Sequence, residues 1–277
     1  HTPDRNGLII HGSVNNIVHG LVNISAAATK FIPREPDMPL FVHLYVLILI
    51  VALPIYSYAS YQRVLRAYQA GEPVNRKTLY RTTIATQWLL FAITVVLLAS
   101  LDVDAKLIGA TWHSNFETFI GAILALAILA FLIGQWLMVR RSSDSELANY
   151  AGSHQDVVMM LPQTKRELQA FYGVSVTAGI VEEVVWRGFV VWYFAHYMPM
   201  WAALLISLLA FTCAHAYQGL KQLPGIFLVG AALTGVYWLT GSLWPCIALH
   251  IAIDAIQGRT ANDMLMRTQT PSTTRAQ

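Results

Sequence analysis

The sequence predicts an all-α, polytopic membrane protein with about seven transmembrane helices and a polar site in the last four. Three observations carry this prediction. Hydrophobic residues make up 56% of the 277 and charged residues only 12%, whereas soluble domains carry about 25% charged residues. The apolar residues gather into seven runs, several of them near the ~20 residues that a helix needs to cross a bilayer. Lys and Arg sit almost wholly in alternate loops between those runs.

Residues 1–37 are polar and mixed, and hold no apolar run of spanning length. They also lack the basic n-region and compact h-region of a signal peptide. They are expected to be a non-globular segment of non-native origin (a leader, a fusion scar or upstream translated sequence), with Met38 as the natural start. The integral membrane domain is expected over 38–258. Its first run, 40–59, contains Pro54, which removes a backbone donor and should kink the helix. Runs two and three cover 83–101 and 118–139. Run four, 168–197, carries three ionisable residues. Run five, 200–215, is short for a span, and runs six and seven cover 224–239 and 243–257. Between runs three and four, the mixed-charge loop 140–167 should be solvated. Thr164 and Glu167 have the spacing of a capping box, so a helix should start near Lys165. In run six, Ala231 and Gly235 have the small-xxx-small spacing that lets helices approach closely. Residues 259–277 are polar and expected to be disordered. No internal repeat is visible.

Thirteen Lys and Arg residues follow runs one, three, five and seven, against Lys106 alone between runs on the other side. The positive-inside rule then predicts the N-terminus outside and the C-terminus in the cytoplasm, with the cell membrane as the expected location. Trp192, Tyr193, Tyr197, Trp201, Trp238 and Trp244 would collect at the outer interface, the level amphipathic rings prefer. The net charge of +3 is spread thinly, so a nucleic-acid partner has no support. Neither Cys213 nor Cys246 lies in a metal-type spacing, and both read as small buried hydrophobes.

The stretch around which the rest is organised is Gly179-Ile-Val-Glu182-Glu183-Val-Val-Trp-Arg187-Gly188-Phe189. A charge at mid-bilayer costs roughly 2.5–3.5 kcal/mol on insertion scales, so three need a reason. On a helix Glu183 and Arg187 are one turn apart and can pair. Glu182 points about 100° away and stays available. A structural ion pair accounts for Glu183 and Arg187 but not for Glu182. Four further residues join them: Phe211 with His215 near the end of run five, and His250 with Asp254 one turn apart in run seven. Of nine histidines, His215 and His250 alone lie in spans that carry or face an acid. The others fall in the N-terminal segment, a loop or near interfaces.

In order and type these residues resemble the CPBP intramembrane proteases, which include type II CAAX prenyl proteases and bacterial Abi-type immunity or bacteriocin-processing proteins. The pattern reads Glu182-Glu183-Val-Val-Trp-Arg187, then Phe211-Thr-Cys-Ala-His215, then His250-Ile-Ala-Ile-Asp254. The resemblance covers about 161–258; runs one to three show nothing diagnostic. It implies an endopeptidase acting on a peptide or membrane-protein substrate, with water activated by Glu182 and His215. Glu183 and Arg187 would hold the geometry, while His250 and Asp254 would stabilise the oxyanion or bind a metal. The family is commonly described as metalloproteases. Either a divalent metal such as zinc or no metal is compatible with two histidines and two carboxylates. Asp254 departs from the Asn of the eukaryotic CAAX enzymes. It must be protonated, orient His250 or ligate a metal. Two other classes stay open: a non-catalytic immunity or scaffold protein, and a proton- or ion-coupled transporter, though the latter should show repeats or paired broken helices. A haem or quinone site on His215 and His250 would leave Glu182 without a purpose.

Overall fold

A computed structural model of the chain describes residues 38–112, 116–153 and 158–269. The expectations about residues 1–37, His113, His154 and 270–277 lie outside them. Among the described residues the regular structure is entirely helical. Helix α1 is Leu40–Gln69, α2 is Arg76–Ser100 and α3 is Phe116–Arg141. A short helix α4, Asp144–Ser153, precedes α5, Lys165–Glu182. The chain then runs through a π-helix, Glu183–Val190, into α6, Val191–Ala195. Helix α7 is Met200–Ala214, α8 is Leu223–Thr240 and α9 is Leu243–Gln269.

Among the described residues five helices are long and apolar enough to cross a membrane: Leu40–Gln69, Arg76–Ser100, Phe116–Arg141, Met200–Gln218 and Leu220–Thr240. The helices carrying Glu182 and His250 are not among the five, because their polar and charged residues lower their apolarity. The protein is an integral membrane protein, all-α as the sequence predicts.

Local chemistry explains the boundaries. Thr164 accepts from the Glu167 amide while Glu167 reaches back to the Thr164 amide, the reciprocal cap that the spacing predicts. Pro54 has no N–H to donate, and the backbone just before it loosens into a π-turn, Ile48–Ala52, in which the Leu53 amide reaches Ile48 O.

Helix α5 lies between α2 and α9, while α3 flanks α8 and α9. One core joins Val42 and Leu49 of α1 to Val181, Val185 and Phe189. A second joins Leu132 of α3 to Ala203, Leu233, Cys246 and Ile253. The ends of the bundle are tied separately. At one end Tyr80 donates to Met160 O and Arg267 to Asp144, and Tyr61, Met159 and Tyr217 pack together. At the other the Leu243 amide donates to Gly109 O and Ser242 to Thr111 O.

Several sequence expectations need correction. Helix α9 does not stop at Gln257 but continues to Gln269. Ala261, Met264 and Leu265 form a buried stripe, Met264 and Leu265 pack with Leu147 of α4, and Asn262 donates to Pro162 O. The expected disorder therefore does not extend over 259–269, nor is 140–167 merely a solvated loop. Trp192 and Tyr193 are buried in the first core, while Tyr197, Trp201, Trp238 and Trp244 are exposed. Cys213 is exposed on the apolar α7, and only Cys246 is buried. Ala231 and Gly235 face an open apolar groove with Trp201 and Trp238, and nothing lies within 4 Å of a Cβ built at Gly235. The close approach in α8 is made by Gly230, where a Cβ would meet Leu208 at 2.8 Å and Phe211 at 3.1 Å.

Candidate active site

The last turns of α5 and the π-helix after it present Glu182, Glu183 and Arg187, α7 presents Phe211 and, at the cap just past its end, His215, and α9 presents His250 and Asp254. Gly179 lets α9 come close enough for this. A Cβ there would fall 2.5 Å from Ile251 Cγ1, 3.0 Å from Ile251 N and 3.2 Å from Ile247 O.

The adjacent glutamates have separate surroundings. Glu183 is fully buried. Its Oε1 accepts from Arg187 Nη1 at 2.9 Å and from His250 Nδ1 at 2.7 Å. Arg187 also donates to Gly230 O at 3.0 Å and lies 4.6 Å over the Phe211 ring. These contacts offset part of the cost of keeping an ion pair out of water, although Glu183 Oε2 is buried with no hydrogen-bond partner among the described residues. The π geometry contributes a further tie, since Ser207 of α7 donates to Trp186 O at 2.7 Å inside it.

Glu182 faces the other way. Its Oε1 accepts from Gln87 Nε2 of α2 at 2.7 Å. Its Oε2 is buried with no hydrogen-bond partner among the described residues. This oxygen lies 3.6 Å from His215 Nε2 and 4.0 Å from His250 Nε2. The ring protons follow from the partners. A carbonyl only accepts, so His215 Nδ1–H donates to Phe211 O at 2.8 Å. His250 Nδ1–H donates to the Glu183 carboxylate. With both Nδ1 atoms occupied as donors, Nε2 is the ring nitrogen that each histidine turns toward Glu182. Asp254 Oδ2 lies 3.8 Å from His250 Nε2. Glu183, not Asp254, orients the His250 ring through Nδ1.

The structure thus brings all six sequence-predicted residues into one cluster. It also adds partners that the sequence reading missed. Gln87 was visible as an amide inside an apolar run. Tyr217, stacked beside His215 with centroids 6.0 Å apart and packed on Tyr61, follows the second motif by two residues. The roles of the Phe211 ring and of Gly230 O had no signal beyond the Phe-x-x-x-His spacing.

A zinc ion bound at 2.0–2.2 Å in a tetrahedron holds its ligands about 3.3–3.6 Å apart. The Glu182–His215 separation of 3.6 Å reaches that range, while those of His250 from Glu182 and Asp254, 4.0 and 3.8 Å, are longer. Among the described residues no group of three or more His, Cys, Asp or Glu side chains fits a metal ion.

Residues 164–256 match the family described as type II CAAX prenyl endopeptidase, Rce1-like. This segment is Rce1-like. The match bears out the resemblance read from the three motifs and covers the helices from α5 to the middle of α9, including every motif residue. It supports a membrane endopeptidase with a peptide substrate. No curated protein and no solved structure matches the chain.

Proposed function

We propose that the protein is an intramembrane endopeptidase that hydrolyses a peptide bond near the cytoplasmic face, using water activated by Glu182 and His215. The observation that carries this reading is the unpartnered Glu182 Oε2, buried 3.6 and 4.0 Å from two imidazole Nε2 atoms. A water there donates one hydrogen to Glu182 and the other to Nε2 of His215 in its neutral form, so its oxygen is oriented for attack. Glu182 takes the proton as water adds to the carbonyl and returns it to the leaving amine. His215, fixed by Phe211 O, shares that proton. On this reading the oxyanion is stabilised by a protonated Asp254 and by His250 once its Nε2 carries a proton, and Glu183 and Arg187 fix the His250 ring. Since the donors do not fit a metal as they stand, no step runs through one.

Seven spans, with the termini of α5–α6 and α9 spanning despite their polar residues, accompany this reading. The basic loops after runs one, three, five and seven then face the cytoplasm.

The test is cleavage by purified protein in lipid nanodiscs, with a farnesylated CAAX peptide and an unmodified peptide in parallel. Cleavage is expected to disappear in Glu182→Gln at an unchanged melting temperature, and to persist with chelator. Loss with chelator and recovery with zinc would replace the metal-free mechanism. A parent protein that cleaves neither peptide, nor a reconstituted membrane-protein substrate, would leave the scaffold reading in its place.

A further inference from the structure

Glu182 is held by a residue far from the three motifs and outside the matched segment. Gln87 sits in α2, and its Nε2 donates to Glu182 Oε1 at 2.7 Å. The amide must present its nitrogen here, because its oxygen would repel the carboxylate. That oxygen, Gln87 Oε1, is buried with no partner among the described residues. A purely structural amide inside an apolar bundle would be expected to satisfy both ends, since an orphaned buried acceptor costs about 1–3 kcal/mol. Gln87 satisfies one end only, and that end is Glu182.

The geometry points to Gln87 as a positioning residue for Glu182, on the reading of Glu182 as the general base. The terminal carboxylate torsion of a glutamate is broad and roughly two-fold. One donor at Oε1 selects the rotamer that aims Oε2 at His215 and His250. The donor must be neutral. An arginine or lysine at this position would neutralise Glu182 as Arg187 neutralises Glu183, and would weaken it as a base. A hydrogen-bonding amide fixes direction while leaving the negative charge intact. The two adjacent glutamates are thereby separated, one with cationic and imidazole partners at a single oxygen, the other with a neutral donor on the oxygen turned away from the reaction.

The experiment uses the full chain in nanodiscs and two substitutions, Gln87→Met and Gln87→Glu. Gln87→Met keeps the length and removes the donor. It should lower kcat about tenfold or more with KM within twofold, because only the approach to the transition state is affected. Gln87→Glu keeps the shape but sets a second carboxylate against Glu182, and should lower kcat further. A second measurement needs no activity: melting temperatures of Gln87→Met, Glu182→Met and the double variant. If the two side chains act through one bond, the double variant melts no lower than the more affected single variant. Unchanged kcat in Gln87→Met, an equal effect on kcat and KM, or additive melting shifts would each overturn the assignment. If the parent does not cleave peptide, the hydrolase reading fails and takes the catalytic part of this assignment with it. The melting cycle then decides the pairing by itself.

Discussion

Gly179→Ala tests whether close packing of α5 on α9 sets the site. A Cβ at 179 would meet Ile251 Cγ1 at 2.5 Å, Ile251 N at 3.0 Å and Ile247 O at 3.2 Å. The Ile251 side chain can turn aside, but the amide and the carbonyl belong to the α9 backbone. Restoring ordinary contact, which begins near 3.4 Å, needs the helices to part by about 0.4 Å. His250 is the neighbour of Ile251 and moves with it. Its bond to Glu183, now 2.7 Å, would stretch to about 3.1 Å, the long end of the N–H···O range. The gap from Glu182 Oε2 to His250 Nε2 would widen by a similar amount from 4.0 Å. If a 1 Å misplacement costs about 10²-fold in rate, 0.4 Å costs about sixfold. Overpacking costs about 1–3 kcal/mol, and the helix propensity of Ala over Gly returns about 1 kcal/mol. The net destabilisation is then about 0–2 kcal/mol, so activity is the sharper readout. Peptide cleavage and melting should be measured together, with Gly134→Ala as the control. Gly134 is a helical glycine with nothing within 4 Å of its Cβ position. The control should be as stable as the parent or more so and fully active. Gly179→Ala with activity within twofold of the parent would refute the packing argument.

Glu183→Gln and Arg187→Met should each lower the melting temperature and protein yield, since breaking a buried pair costs about 3–5 kcal/mol; a parent-like melt in either would dismiss the pair as the foundation of the site. Asp254→Asn should retain cleavage within about tenfold, because an amide also donates to an oxyanion, whereas complete loss would assign an ionised role to Asp254. A cysteine placed at Arg76 or Arg140 should resist impermeant thiol reagents applied to intact cells, and strong labelling there would invert the orientation.

Much of this was legible because charge in an apolar run is costly and therefore informative. Glu182, Glu183, Arg187, His215, His250 and Asp254 stand out against their neighbours, and Thr164 with Glu167 marks a helix start through a local bond. What was not legible depends on tertiary contacts. The π-helix at Glu183–Val190 has no local signature, and one of its carbonyls is met by Ser207 from another helix. Gln87 is a single uncharged amide whose partner lies 95 positions away. The stripe Ala261, Met264 and Leu265 is interrupted by Asn262 and Asp263, so hydropathy hides a helical period that packing on Leu147 makes plain. Trp192 and Tyr193 are like the exposed Tyr197, Trp201, Trp238 and Trp244 in type and differ from them in what packs around them.

Exposure divides the cluster into two layers. Glu183 and Arg187 are 0% and 1% exposed at their side chains and His250 is 6%. Glu182 and His215 rise to 15% and 16%, and Asp254 to 30%. The dry layer contains the ion pair and the bonds to Gly230 O and His250, which all act through one carboxylate oxygen of Glu183 or through Arg187, and Glu183 Oε2 is itself buried without a hydrogen-bond partner among the described residues. What distinguishes the wetter layer is that the unpartnered Glu182 Oε2 faces two imidazole Nε2 atoms, at 3.6 and 4.0 Å, across a gap too long for direct hydrogen bonds. A scaffold that merely needed to hold α5, α7 and α9 together would require the dry layer and gain nothing from the other. A hydrolase requires both, because the dry layer fixes the imidazole and the wetter layer admits water and the peptide carbonyl. Substitutions should therefore separate by layer: loss of fold at Glu183 and Arg187, and loss of cleavage with an intact fold at Glu182 and His215.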